Sequence, residues 1–142
     1  MRTFFLVLSL LLSLHVQAQN SPEGLWMSYD DDGKTATALV RIVKINDQLI
    51  GQIEKVFDQQ AEAICSNCRG DRKNQPIVGL EIIRGVKVAA QNNKWSQGRI
   101  LDPDDGTEYK LIMELERAGQ TLVVRGYWGL FWRTQYWQRQ IQ

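Results

Sequence analysis

Histidine is all but missing from this chain. Of 142 residues only His15 carries an imidazole, and it lies inside an N-terminal apolar stretch. Beyond that stretch there is none, which excludes histidine-based triads, histidine zinc ligands and a histidine pH switch. An excess of one charge is missing too, with 17 Lys plus Arg against 16 Asp plus Glu. Arg2 belongs to the apolar stretch, so the rest of the chain balances at 16 against 16. A neutral domain has no net field to gather nucleic acid or an anionic membrane, so nucleic acid is excluded as a partner. After the N-terminus, no run approaches the roughly 20 apolar residues of a spanning helix, and no membrane span is expected. Long helical periodicity is absent as well.

The N-terminus itself has the form of a secretory signal. Met-Arg-Thr precedes the apolar run Phe4–Leu14, and Val16-Gln17-Ala18 supplies small residues at −3 and −1. Residues 1–18 are therefore expected to be a removable signal peptide and 19–142 a single domain, located in the periplasm or secreted. With the first cysteine at Cys65, no lipid-modified N-terminus is expected.

The remainder of the chain reads as strand almost throughout. Tyr109, Leu111, Met113 and Leu115 alternate with Glu108, Lys110, Ile112 and Glu114, the period of a half-buried strand. Gln120–Tyr127 is a second strand after the turn Ala118-Gly119. Thr35–Ile45 and Gln48–Phe57 flank Asn46-Asp47, and Ile77–Ala89 and Trp95–Leu101 flank Gln91-Asn92-Asn93. Gly24–Tyr29 opens the domain and Thr134–Arg139 closes it. Asp58–Ile64 is the exception, with the composition of one helical turn or more. Eight short antiparallel strands with at most one short helix give an all-β fold. A small closed barrel is favoured because closure removes exposed edges.

The opening Gly24-Leu25-Trp26 resembles the Gly-x-Trp start of lipocalin (calycin-type) barrels. That resemblance implies Trp26 at a closed barrel end with an arginine, Arg139 or Arg125, over its ring. A larger set of residues points to one family. These are Gly24-Leu25-Trp26 with Asp31-Asp32-Gly33-Lys34, Cys65-x-x-Cys68, Pro76-Ile77-Val78-Gly79-Leu80, and Trp95 to Pro103 with Gly106 and Tyr109. Arg125-Gly126-Tyr127, Arg133-Thr134-Gln135 and Trp137 complete the set. In this order they resemble the exported bacterial family known as domain of unknown function 2147, over about residues 24–139. The family often has a glycine where this chain has Trp132. The resemblance implies export and a small β-rich domain, and no reaction.

Four features carry chemistry. Cys65 and Cys68 are expected to form a structural disulfide, ahead of a redox pair or a metal site. Asp30-Asp31-Asp32-Gly33 and Asp102-Pro103-Asp104-Asp105-Gly106 read as tight turns rather than calcium loops, with Gly106 at positive φ and Asp102 capping its turn at a lowered pKa. The basic stretch Cys68–Asn74 reads as a solvated loop. The run Tyr127-Trp128-Gly129-Leu130-Phe131-Trp132 lies between strands, so Trp128, Phe131, Trp132, Arg133 and Tyr109 are candidates for ligand or partner contact, with packing of a barrel end as the competing reading.

No metal, cofactor or catalytic pair is implied, and the chain is expected not to be an enzyme. The expected function is a barrel that binds a small apolar or amphipathic ligand. The alternative is an envelope protein-interaction or stress-protective module with a solid core, whose aromatic loop contacts another protein. Nothing in the sequence specifies an oligomeric state.

Overall fold

A computed structural model describes residues 20–57 and 63–141. The expected signal peptide and most of the expected helical turn at Asp58–Ile64 lie outside the described residues. Eight strands form a closed barrel: β1 (Gly24–Tyr29), β2 (Ala36–Ile45), β3 (Gln48–Val56), β4 (Glu81–Lys87), β5 (Lys94–Asp102), β6 (Thr107–Glu116), β7 (Thr121–Trp128) and β8 (Phe131–Gln140). Each pairs antiparallel with the next. β8 returns to β1 through Leu25–Gln140, Trp26–Arg139 and Met27–Gln138. Two short 3₁₀ turns, Gly70–Arg72 and Arg117–Gly119, are the helical elements among the described residues.

Tight polar turns at the expected places explain the simple up-and-down order. Asn46, Asn92 and Asn93 all take positive φ, which asparagine tolerates better than other residues with a side chain. One expected strand is shorter than its apolar run. Ile77–Leu80 turns instead of pairing, with Leu80 N–H on Ile77 O at 3.1 Å and Gly79 at φ 93°. Ile77 N–H goes to Ala63 O, so this segment belongs to the long β3–β4 connection.

Inward-facing residues fill one end of the barrel. Trp26, Ile42, Leu49, Met113 and Leu122 are at most 1% exposed. Trp26 is fully buried and donates from its indole to Pro22 O at 2.8 Å. The Arg139 guanidinium lies 4.2 Å from the Trp26 ring centre. It donates to Gly119 O at 2.6 Å, Glu23 O at 2.7 Å and Ser21 O at 2.8 Å. Between the two candidate arginines the structure thus selects Arg139, since Arg125 donates to Thr134 Oγ1 on the neighbouring strand. Burial of the ring and satisfaction of three carbonyls seal this end.

Candidate functional site

At the opposite end the strands leave space. Here the turns β1–β2, β5–β6 and β7–β8 meet the long β3–β4 connection. Between them lies a cavity of about 270 Å³. Its deeper wall is apolar, from Val40, Ile53, Ile82, Val124 and Trp137. Alternation along each strand sets this wall, because residues two apart face the same side. On β8 that rule carries Arg133 and Gln135 inward with Trp137.

The mouth is polar. Ser28, Thr37, Tyr29, Asp30, Asp102, Asp104, Tyr109, Arg133 and Gln135 all line it. Ser28 Oγ and Thr37 Oγ1 share a hydrogen bond of 2.9 Å, and the Trp137 indole donates to Gln135 Oε1 at 2.9 Å. Arg133 donates from Nε to Asp31 Oδ1 at 2.8 Å, while its Nη1 stands 3.4 Å from Asp102 Oδ2. Tyr109 has room at the rim because its partner strand carries a glycine. A Cβ on Gly126 would sit 3.0 Å from Tyr109 Cβ.

The β5–β6 turn forms as its sequence demands. Asp102 Oδ1 accepts from Asp104 N–H at 3.0 Å, and Gly106 takes φ 76°. The expected lowering of the Asp102 pKa is overturned. Burial pushes its carboxyl up, helped by the charges of Asp104 and Asp105, and outweighs the Asp104 N–H and Arg133.

Cys65 and Cys68 are joined in a disulfide, both buried, with Cα atoms 5.3 Å apart. The bridged loop rests on the β5–β6 turn. Asn67 Nδ2 donates to Asp104 O at 3.0 Å, and Cys65 Sγ lies 3.4 Å from Pro103 O. A Cβ on Gly106 would fall 2.1 Å from Asn67 O, so glycine is required there for space as well as for φ. The stretch Cys68–Asn74 is not simply solvated. Arg72 is buried, donates to Glu81 O at 3.1 Å and pairs with Glu108. Asp71 takes a two-pronged contact from Arg84, at 3.0 and 2.7 Å. These contacts hold the connection against the wall of the mouth.

The candidate contact residues divide into two groups. Tyr109 and Arg133 line the cavity; Trp128, Phe131 and Trp132 do not. The aromatic run is a two-residue hairpin rather than a loop, with Trp128 and Phe131 paired across Gly129-Leu130 and Tyr127 opposite Trp132. Its tip projects into solvent. Leu130 is 91% exposed, Phe131 74% and Trp132 67%. Cavity residues that motif reading missed are Ser28, Thr37 and Gln135, together with Asp30 and Asp104, which it read only as turn residues. The signal available for Gln135 was its shared parity with Trp137.

The family profile described as an uncharacterized protein conserved in bacteria, DUF2147, matches residues 24–139. The chain belongs to DUF2147. That span runs from the first residue of β1 to the arginine that covers Trp26, so this DUF2147 domain is the whole barrel. Among solved structures the DUF2147 chain is similar to protein HP1028 from Helicobacter pylori, described as belonging to the lipocalin family. The likeness has a TM-score of 0.71 at 14% identity and covers 84% of this chain and 83% of that one. At that identity it establishes the fold alone. A comparison with curated proteins finds no match. Among the described residues no helix is long and apolar enough to cross a membrane, and no cluster of His, Cys, Asp or Glu is arranged to hold a metal ion.

Proposed function

We propose that this DUF2147 protein is an exported, non-catalytic barrel that holds a small apolar or amphipathic molecule at its open end. The observation that carries the reading is the contrast between the two ends. One is filled by Trp26 and its neighbours beneath Arg139, and the other keeps about 270 Å³ with an apolar wall and a polar mouth. That volume sits near the lower limit of the roughly 300–1,000 Å³ typical of ligand pockets, so the ligand is small. Export fits the N-terminal signal pattern and a disulfide formed between the chain's two cysteines. Native mass spectrometry of protein purified from its own host tests the reading. A defined excess mass is expected. In Ala38→Leu, whose added carbons project into the cavity, that mass should vanish while the melting temperature holds. A bare mass for the wild type in repeated preparations sinks the proposal.

A second reading is favoured by one specific observation, the projecting hairpin tip. Four large apolar residues, Trp128, Leu130, Phe131 and Trp132, are exposed within five positions. Clusters of this kind mark contact surfaces, and aromatic anchors dominate such contacts. The tip would seat on another envelope protein and is compatible with a filled or an empty cavity. A photo-crosslinking amino acid at position 130 should give one discrete adduct in the host. No adduct, or a smear of many, rejects this reading, and an adduct of twice the chain mass assigns the tip to a second copy.

A further inference from the structure

The cavity mouth has an unbalanced charge. Asp30, Asp102 and Asp104 line it, and Arg133 is the single cation among the described lining residues. Arg133 is already committed, since its Nε and Nη2 hold Asp31 at 2.8 and 2.6 Å. Its Nη1 also reaches Asp102 at 3.4 Å, so with Asp31 counted four carboxylates share one guanidinium at this opening. Two further cations are held elsewhere, Arg72 by Glu108 and Glu81 O and Arg84 by Asp71 and Glu81, while Lys34 is exposed and lines a neighbouring recess with Asp30 and Asp31. An anionic head group would have to displace Asp31 and then lie among like charges. A neutral one would leave the repulsion in place. A cation relieves it, and Asp102, half-buried beside Asp104 and Asp105, gains most. Tyr29 and Tyr109, both at the rim, supply aromatic faces that also favour a cation.

We propose that the occupant is a small amphiphile with a cationic head, a primary alkyl- or arylamine, its ammonium at the acidic mouth beside Asp102 and its apolar stem against Val40, Ile53, Val124 and Trp137. The inference rests on reading the cavity as a ligand site and adds the ligand's charge class. The site discriminates by electrostatics at the mouth, while the apolar wall limits the length of the stem.

Isothermal titration of the disulfide-intact protein with hexylammonium, 1-hexanol and hexanoate tests it, because the three share one stem and differ in head charge. Hexylammonium should bind about tenfold or more tighter than hexanoate, as a charge-assisted contact in a half-buried mouth requires. Asp102→Asn keeps the oxygen that accepts Asp104 N–H. Together with Asp104→Asn it should weaken hexylammonium several-fold and leave 1-hexanol unchanged. Hexanoate binding tightest, or 1-hexanol equal to hexylammonium, overturns the charge assignment while leaving the cavity reading intact. No binding of any of the three at millimolar concentration overturns the cavity reading itself, and this inference with it.

Discussion

Asp102 is a residue at which turn chemistry and burial oppose each other. Its side chain makes the expected bond to Asp104 N–H, yet burial raises its pKa above the ordinary carboxylate value of about 3.9. The native state therefore holds the proton more tightly than the unfolded chain, and ionisation at neutral pH works against folding. That penalty is absent below the ordinary carboxylate pKa and grows as pH rises through the raised native value. Asp102→Asn should melt higher than wild type at pH 7 and lose that advantage near pH 3. A lower melting temperature at pH 7 would mean that the Arg133 contact outweighs burial. Trp26 carries no such conflict. Fully buried under Arg139, it should cost about 3–5 kcal/mol when replaced by alanine, read from denaturant unfolding. Gly106→Val combines strain at φ 76° with a Cβ 2.1 Å from Asn67 O, and a loss of at least about 2 kcal/mol is expected.

At the scale of an element, the β3–β4 connection behaves as a folded unit instead of a loop. Cys65 N–H donates to Gln75 O, Asn74 N–H to Cys65 O and Ile77 N–H to Ala63 O, all within 2.9 Å. The disulfide closes only a small ring, so by chain entropy it adds about 2 kcal/mol at most. Its location gives it a local role, because it presents Asn67 to the β5–β6 turn that forms part of the mouth. Reduction should accelerate hydrogen exchange at the Cys65, Asn74 and Ile77 amides while β6 and β7 keep their protection. Uniform acceleration throughout the barrel would show that the bridge stabilises the whole fold. The β7–β8 hairpin obeys a different rule. Its two-residue turn and cross-strand aromatic pairs stabilise the tip locally, so its apolar side chains remain exposed without unravelling.

For the molecule as a whole, closure is the decisive event. β8 contributes Trp137 to the cavity wall, pairs with β1 and delivers Arg139 onto Trp26. A chain ending at Tyr136 loses all three at once and should not fold cooperatively, which circular dichroism with thermal melting will show. The local pattern by itself determined the number of strands, most of their bounds and the turn sites, because side-chain alternation and asparagine, glycine or proline at turns are short-range properties. It also marked Trp26, Gly106 and the cysteine pair. Two kinds of information came only from the tertiary structure. One was direction: Arg133 and Gln135 face inward and Trp132 outward, since the face a residue takes depends on which neighbours the strand meets. The other was environment. Burial turned the Asp102 pKa upward and gathered Asp30, Asp102 and Asp104, from two separate turns, around one opening. Charges distant in sequence act together only after the barrel brings them within reach, so the chemistry of the mouth exists in the fold and not in any segment of the chain.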